Sequence, residues 1–597
     1  MNGQYDDVRA AFDRAEPVYP DGYGPGPDPR TPQDAGPYDP AHDPDELLAE
    51  ECAVFPLNDY GNGKRFKSYF GADCLFVPRV AWFTWRDRLW EQDDDQLETR
   101  RLAQQVSGKI TREAQHIRLE EWEQMQVEAG DQAREEVDEI KAVTPSNRSE
   151  EQKARLRDLE KVVERSEDLK RKLAALRRGH HSHAKAAGNT GPINNMMREA
   201  QVDLYQPLTR LNEDPLMINT ETGVIRFRVE MDPRSGKKKL IREVLKHARD
   251  QYLSKMMAVE FDPDALCPDF EEFLISIQPD PALREFLQRW FGYCLTGLTT
   301  EQKLCFFYGE GRNGKSTIVD LIAKMMAAYA TTVPIESLAG SDQRKGSDAT
   351  PDLVRLPGAR MVRAAEPERG QKLKEGFIKA ITGGEEILVR RMQQEFVEVT
   401  PEFKLTISGN HKPEIRGTDK GIWRRVLLVP FLVSIPDEDV DPLLPQKLWA
   451  ERSGILNWML EGLEKWLTDG LQIPQEILDA TEEYREESDP MLVFINNCCV
   501  VDGDPDVFTR SRELIDAFNW WYVDAGKGDP WTSKTVSKHL SDKSKFHKTP
   551  EGKGFTAAKV SDTGYRGIRL SAEFIQNRED ADARAKYDAG GGYDPVV

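Results

Sequence analysis

The sequence lacks the features that would assign it to a membrane, secreted or metal-scaffold class. No apolar run approaches the ~18–20 residues that a transmembrane helix requires. The N-terminal stretch MNGQYDDVRAAFDRAEP has no apolar core of the kind found in secretion signals. The seven cysteines are scattered without a C-x-x-C pair. We therefore expect neither a zinc ribbon nor a disulfide scaffold, and we expect a reducing compartment.

The chain also lacks an excess of positive charge. Its 82 Lys and Arg residues are outnumbered by 103 Asp and Glu residues, which gives a net charge of −21 at pH 7. This balance argues against a protein that coats nucleic acid over its whole surface. It permits a local basic channel, because charges act over about one Debye length, ~8–10 Å.

Composition and hydrophobic periodicity divide the 597 residues into six segments. Pro, Gly and Asp dominate the first segment, and a charged, heptad-like pattern predicts a coiled-coil-like hairpin over about 95–180 within the second. We expect a disordered leader at 1–46, a helical N-terminal domain at 47–265, a nucleotide-binding α/β domain at 266–470, a helical linker at 471–490, a small domain at 491–576 and a disordered tail at 577–597.

The strongest motif is a phosphate-binding loop in the middle of the chain. A strand-like run, Leu304–Tyr308, precedes it, and a helical pattern, Ile318–Ala328, follows it. The motif G-x-x-x-x-G-K-[ST] is carried by Gly309, Glu310, Gly311, Arg312, Asn313, Gly314, Lys315, Ser316 and Thr317. Its glycines let backbone N–H groups point at phosphate oxygens, the lysine reaches the β- and γ-phosphates, and the serine hydroxyl binds Mg²⁺. The sequence therefore predicts a site for ATP and Mg²⁺.

A carboxylate and an amide follow the next two predicted strands. Glu366 ends the buried run Arg360–Glu366, where it could polarise the attacking water; an ion pair at a sheet edge is the weaker alternative. Asn410 ends the strand Phe403–Asn410, where it could contact the γ-phosphate or simply form a turn. We favour the catalytic role for Glu366.

Two adjacent arginines, Arg424 and Arg425, precede a further apolar strand at Val426–Phe431. A guanidinium at a subunit boundary can neutralise the charge that develops on a neighbour's γ-phosphate. An ion pair within the subunit is equally compatible with the sequence.

Together these motifs resemble superfamily 3 helicases of the phage, plasmid and poxvirus primase–helicase type. The resemblance rests on Gly309–Thr317, Glu366, Ile378–Glu385, Asn410 and Trp423–Arg425, with weaker likeness at Trp85–Trp90 and Leu211–Ile225. It implies an AAA+-like P-loop ATPase core behind a helical N-terminal domain. The acidic motif departs from the common Asp-Glu, because Ala365 precedes Glu366. No paired-Asp motif precedes the helical region, so we expect a helicase without a primase domain.

The resemblance also implies a role for individual residues. Lys315 and Ser316 would bind nucleotide and Mg²⁺, Glu366 would serve as the second acidic motif and approach the metal, and Asn410 would be the sensor. Arg425 would be the trans-acting finger, with Arg424 as the second choice. A DNA-contacting hairpin would lie between the acidic motif and the sensor, where the basic residues are Lys379, Arg390 and Arg391.

The C-terminal segment has the order of a winged helix. A helix at Ser511–Ala525, a short basic helix at Ser533–Leu540 and a Gly-containing strand at Gly564–Leu570 follow one another. Lys534 and Lys538 lie on the second helix, and more lysines follow it, so this segment reverses the acidic sign of the chain. We favour contact with DNA over a purely structural module.

These observations predict an ATP-dependent DNA helicase for the replication of a phage or related mobile element. We expect a homo-hexameric ring on single-stranded DNA, at a replication fork or origin, with a separate primase or polymerase as partner. We expect no membrane association and a cytoplasmic location, in the bacterial host if the chain is phage-encoded. The alternative is an origin-binding initiator or helicase loader without unwinding activity.

Overall fold

The computed structural model describes residues 44–231, 238–340, 352–365, 371–389, 396–415, 420–526 and 529–589. Backbone contacts divide the chain into two units. The first comprises Met1–Ala72 and Arg100–Asp203, and the second comprises Asp73–Thr99 and Leu204–Val597.

The described part of the first unit is helical. Its helices are α1 (Pro44–Cys52), α2 (Asp59–Phe70), α3 (Leu97–His116), which begins three residues before the unit, α4 (Glu121–Ala142), α5 (Glu150–Ala187) and α6 (Thr190–Asp203). Helices α4 and α5 pack as an antiparallel hairpin around buried Val137 and Leu159. The expected leader boundary at residue 46 falls inside α1, so that boundary is wrong by a few residues.

The second unit begins with two antiparallel sheets. Strands β1 (Cys74–Val77), β2 (Ala81–Trp85) and β3 (Trp90–Asp93) form one sheet, and β4 (Met217–Asn219), β5 (Val224–Met231) and β6 (Lys238–Leu245) form the other. The first sheet buries Leu75, Phe83 and Trp90 in a small core. The helical prediction for 47–265 is therefore confirmed for α1–α6, and the turn-rich residues Leu216–Arg228, which predict a short β segment, form β4 and most of β5. The prediction is wrong for the sheet β1–β3. In the sequence, long charged helices separate the strands of the two sheets, and their pattern is the dominant one. Short apolar strands carry a weaker signal.

A five-stranded parallel sheet forms the centre of the second unit, in the order β13–β7–β12–β9–β8. Its strands are β7 (Leu304–Tyr308), β8 (Ala330–Thr332), β9 (Met361–Ala365), β12 (Lys404–Gly409) and β13 (Val426–Pro430); β10 (Ile387–Val389) and β11 (Val397–Val399) form a separate hairpin. Strands β7 and β13 are almost wholly buried, as in parallel sheets that are covered on both faces. The predicted mixture of helices and a parallel sheet is confirmed.

Eight helices of the described chain accompany this sheet. They are α7 (Pro268–Ile277), α8 (Pro281–Cys294), α9 (Lys315–Met326), α10 (Ile335–Leu338), α11 (Glu375–Gly383), α12 (Lys420–Trp423), α13 (Leu444–Ala450) and α14 (Arg452–Asp469). Residues of α7, α8, α9 and α14 share one apolar core with β7 and β13. Over the described ranges, no helix is both long and apolar enough to cross a bilayer.

A further helix, α15 (Gln475–Glu487), packs directly against β13. It buries Ile477 and Tyr484, and the Thr481 hydroxyl accepts a hydrogen bond from the Leu428 backbone N–H at 3.0 Å. The helix predicted at 471–490 is therefore confirmed, whereas the expectation that it serves only as a linker is wrong. The spacing of Ile477, Thr481 and Tyr484 places all three on one helical face, and that face covers the sheet.

The C-terminal segment contains helices, a three-stranded sheet and a two-stranded pair. Its elements are α16 (Pro490–Cys498), β14 (Cys499–Val501), β15 (Phe508–Arg510), α17 (Ser511–Asp524), α18 (Ser533–Phe546), β16 (Thr556–Lys559), β17 (Thr563–Arg566), β18 (Ile568–Leu570) and α19 (Ala572–Ala589). The predicted disordered tail from residue 577 is wrong over 577–589, because Ala, Arg and Lys in that stretch favour helix.

Strand β12 begins with a buried lysine, Lys404, which is 2% exposed. Its ammonium donates to the carbonyl oxygens of Thr296, Leu298 and Glu402, the last two at 3.2 Å. Burial lowers the pKa of Lys404 to about 7. This amine fastens the start of β12 to the segment that follows α8.

Candidate functional site

The predicted phosphate-binding loop lies between β7 and α9. Strand β7 ends at Tyr308 and α9 begins at Lys315. Gly314, which directly precedes the helix, has φ +74°, and a Cβ there would lie 2.4 Å from Ile277 Cγ2. A Cβ on Gly309 would lie 2.2 Å from the Phe431 carbonyl oxygen. Glycine is therefore required at both ends of the loop: at Gly314 by conformation and by the Ile277 side chain, and at Gly309 by the close approach of the Phe431 backbone.

Lys315 points back over this loop and is 4% exposed. Its ammonium donates to the Gly309 carbonyl oxygen at 2.7 Å, to Asn313 Oδ1 at 2.9 Å and to Asn410 Oδ1 at 3.3 Å. Asn313 is itself held by a hydrogen bond from Nδ2 to the Phe431 carbonyl oxygen at 3.1 Å. Three oxygen atoms, two from the loop and one from Asn410, thus orient the Lys315 ammonium at the place where phosphate would bind.

The sheet register explains why Asn410 reaches the loop. Strands β7 and β12 pair in parallel, with Tyr308 opposite Gly409. The residues that follow these two positions, Gly309 and Asn410, therefore leave the same edge of the sheet side by side. The sequence separated the loop and Asn410 by about a hundred residues, and the parallel sheet brings them together.

Other predicted residues of the site have different outcomes. Ser316 is exposed in the first turn of α9, next to Lys315, so its hydroxyl is accessible to a metal ion. Glu366, which follows the last residue of β9, lies outside the described residues, and so do Arg390 and Arg391. Lys379 is half-buried on α11 and does not lie on the β10–β11 hairpin.

The two adjacent arginines face different surroundings. Arg425 is 7% exposed; its Nε donates to Thr382 Oγ1 at 3.1 Å and its Nη1 to the Gly421 carbonyl oxygen at 2.6 Å. Arg424 is exposed, and its Nη2 donates to Gln302 Oε1 at 3.0 Å. One arginine is therefore anchored inside the subunit, and its neighbour lies on the surface.

Lys534 and Lys538 are both exposed on α18, one turn apart. Lys548, Lys553 and Lys559 are exposed on the loop and strand that follow. Across the described residues, none of these five lysines forms an ion pair, whereas Lys545 of the same segment pairs with Asp542. The segment therefore presents five exposed lysines, of which Lys553 interacts electrostatically with Glu551.

Sequence reasoning missed the surroundings of Lys412, two residues after Asn410. Its ammonium lies 5.0 Å from the ring centroid of Tyr308 and 2.8 Å from Glu487 Oε2 on α15. The sequence did contain a signal for these surroundings: the spacing of the apolar residues in α15 predicts a helix face that packs against the sheet.

Two regions of the chain match known families. Residues 63–279 match the family described as D5 N terminal like. Residues 307–425 match a family of unknown function, DUF5906, and this region contains the loop, Asn410 and both arginines. This pair of domains confirms the resemblance to the primase–helicase family.

The relatives are viral proteins named putative helicases. One from Acanthamoeba polyphaga mimivirus is 26% identical over 358 residues, which cover 57% of this chain and 36% of the relative. Another, from Frog virus 3 (isolate Goorha), is 26% identical over 269 residues, which cover 42% of this chain and 27% of the relative. The matches thus span about a third of the relatives' length. Among solved structures, the apo structure of the NrS-1 C terminal region is 13% identical, with a TM-score of 0.33, and covers 58% of this chain and 96% of that one.

Proposed function

We propose that this protein is an ATP-dependent DNA helicase that acts in replication. The observation that supports this most directly is the position of the Lys315 ammonium, held within 3.3 Å of oxygen atoms of Gly309, Asn313 and Asn410. An ammonium at the ends of two neighbouring parallel strands, beside a helix N-terminus, is suited to the β- and γ-phosphates of ATP.

The roles at this site follow from the chemistry of phosphoryl transfer. The exposed hydroxyl of Ser316 would bind Mg²⁺, which neutralises charge on the β- and γ-phosphates. Asn410 would donate its amide to the γ-phosphate once ATP takes over the ammonium of Lys315. Glu366, which follows β9 in the sequence, would polarise the attacking water and approach the metal.

We propose Arg424, and not Arg425, as the trans-acting finger of a ring. A finger must extend from its own subunit to reach the γ-phosphate bound to the next one. Arg424 is exposed, whereas Arg425 is buried and donates to Thr382 and Gly421. Arg425 would instead hold the backbone from which Arg424 projects. Such a site would be completed only in an oligomer, for which we propose a homo-hexamer.

The C-terminal segment would bind DNA in the manner of a winged helix. Helices α17 and α18, followed by the β16–β17 hairpin, have the required order. Lys534 and Lys538 would contact phosphates from α18, together with the other exposed lysines of the segment. On the ATPase, Lys379 and the arginines at 390 and 391 would contact single-stranded DNA.

The viral relatives named putative helicases support a helicase-like role in replication, and we propose that this role serves a phage or related mobile element. The protein would then act at a replication fork or origin in the cytoplasm of the host. A separate primase or polymerase would extend the unwound strand.

The test combines ATP hydrolysis with strand displacement. Purified protein with ATP, Mg²⁺ and a forked duplex is expected to hydrolyse ATP and release the shorter strand. Lys315→Ala should lower hydrolysis at least 100-fold, because it removes a charge that contacts the transferred phosphoryl group. Lys324→Ala, on an exposed position of the same helix α9, is the matched control and should retain hydrolysis. Wild-type protein that hydrolyses no ATP with DNA present would refute the proposal.

A second candidate is an ATP-dependent initiator or helicase loader. The exposed lysines of the C-terminal segment are compatible with it, since DNA binding does not require strand separation. This candidate predicts ATP hydrolysis without strand displacement in the same experiment.

A further inference from the structure

Helix α15 is fastened to the loop that follows the proposed sensor. The Tyr484 hydroxyl donates to the Pro413 carbonyl oxygen. Lys412 in the same loop lies 5.5 Å from the Tyr484 ring centroid, and its ammonium lies 2.8 Å from Glu487 Oε2. Because Asn410 begins this loop, α15 restrains the backbone next to the proposed sensor.

The same tyrosine contacts the segment that carries the arginines. The rings of Tyr484 and Trp423 lie 5.2 Å apart with an interplanar angle of 80°, an edge-to-face contact. Both residues are buried, at 2% and 8% exposure. Trp423 directly precedes Arg424, so a shift of the tyrosine ring would move the backbone from which that arginine projects.

Lys412 adds a third contact, to the phosphate-binding loop. Its ammonium lies 5.0 Å from the ring centroid of Tyr308, the residue immediately before Gly309. With its side chain 19% exposed, Lys412 lies between the strand that leads into the loop and helix α15. The two side chains Tyr484 and Lys412 thus connect α15 to all three segments of the proposed site.

We propose that Tyr484 and Lys412 are positioning residues for ATP hydrolysis. They act on the proposed site through other residues, by fixing the orientation of Asn410 and Arg424. Close-packed aromatic contacts transmit displacement because they deform little. A small misplacement of groups that act only in the transition state lowers the rate without lowering ground-state binding. This inference rests on the proposed ATPase function.

The experiment separates the rate of hydrolysis from nucleotide binding and from stability. Tyr484→Phe removes the hydroxyl but keeps the ring against Trp423, and Lys412→Met removes the ammonium. Lys412→Arg keeps a cation and is the conservative variant. The matched control is Glu482→Gln, because Glu482 is exposed on the same helix and pairs only with Arg485 of that helix among the described residues.

For each variant, kcat, KM, the Kd for a non-hydrolysable ATP analogue and the thermal midpoint are measured. Tyr484→Phe and Lys412→Met are expected to lower kcat about tenfold, because a tenfold change in rate corresponds to the free energy of about one hydrogen bond. The Kd should stay within about twofold of wild type. Lys412→Arg should recover most of the kcat, and Glu482→Gln should match wild type.

The outcomes distinguish the two proposals. Wild-type kcat in both test variants would overturn the positioning role while leaving the ATPase intact. A fall in kcat that is matched by a fall in analogue binding, or that disappears well below the thermal midpoint, would assign these residues to folding alone and also overturn it. A wild-type protein without ATP hydrolysis would refute the proposed function, and the positioning role with it.

Discussion

Replacing each of the two adjacent arginines by alanine separates catalysis from folding. Arg425 is buried and donates from Nε to Thr382 and from Nη1 to Gly421. Arg424 is exposed and donates to Gln302 at the surface. We expect Arg424→Ala to abolish hydrolysis in a stable protein and Arg425→Ala to destabilise the protein.

The magnitudes follow from these surroundings. A hydrogen bond from a charged donor contributes about 1.5–3 kcal/mol, so the two bonds of Arg425 predict a loss of about 3 kcal/mol or more. For a domain of this size that loss lowers the thermal midpoint by about 6 °C or more. An exposed substitution such as Arg424→Ala changes stability by only about 0.5 kcal/mol. A missing finger lowers the turnover about 10³-fold or more.

The assay pairs thermal unfolding with hydrolysis in mixed oligomers. Arg424→Ala subunits should bind an ATP analogue as wild type does and hydrolyse almost no ATP. Mixing them with Lys315→Ala subunits should restore part of the activity, because each variant supplies the group that the other lacks across the interface. Full hydrolysis by Arg424→Ala alone, or no restored activity at any mixing ratio, would contradict the assignment.

Three further predictions test the loop, the buried lysine and the C-terminal segment. Gly314→Ala should weaken binding of an ATP analogue at least tenfold, since the position has φ +74°, whereas Gly376→Ala, where a Cβ meets nothing within 4 Å, should bind normally. Burial lowers the pKa of Lys404 to about 7, so between pH 7 and about 10 the unfolded chain binds a proton that the folded chain does not. The free energy of unfolding should therefore rise with pH over this range. In urea titrations, Lys404→Met should lack this component of the rise. Lys534→Ala and Lys538→Ala should each weaken DNA binding across sequences and reduce the slope of log affinity against log salt by about 1, whereas an unchanged slope in fluorescence anisotropy would exclude phosphate contact.

Local features of the site were predictable because their signals lie close together in the chain. The loop from Gly309 to Thr317 is continuous, and strand β7 and helix α9 flank it as expected. The segment 471–490 was correctly predicted to be helical, but it was taken for a linker because its polar residues outnumber the few apolar ones that bury one face. Its contacts with β13 and with the loop after Asn410 required the tertiary structure.

The short strands of the second unit illustrate the same limit. Strands β1–β3 and β4–β6 contain three to eight residues each, and they flank a long run of charged helices. Strands gain most of their stability from cross-strand partners, which the local pattern does not contain. The helical period of the intervening segment was therefore the stronger signal.

The predicted phosphate-binding loop, the parallel α/β class of the domain around it and the order of the motifs that follow were all predictable from the chain, because their signals are local. Packing in three dimensions determined which of Arg424 and Arg425 is exposed, because neighbouring residues have the same sequence context but opposite surroundings. It also decided that Asn410 reaches Lys315 and that Tyr484 contacts both later motifs, since each of these contacts joins segments that are brought together only when the strands pair and helix α15 packs on them.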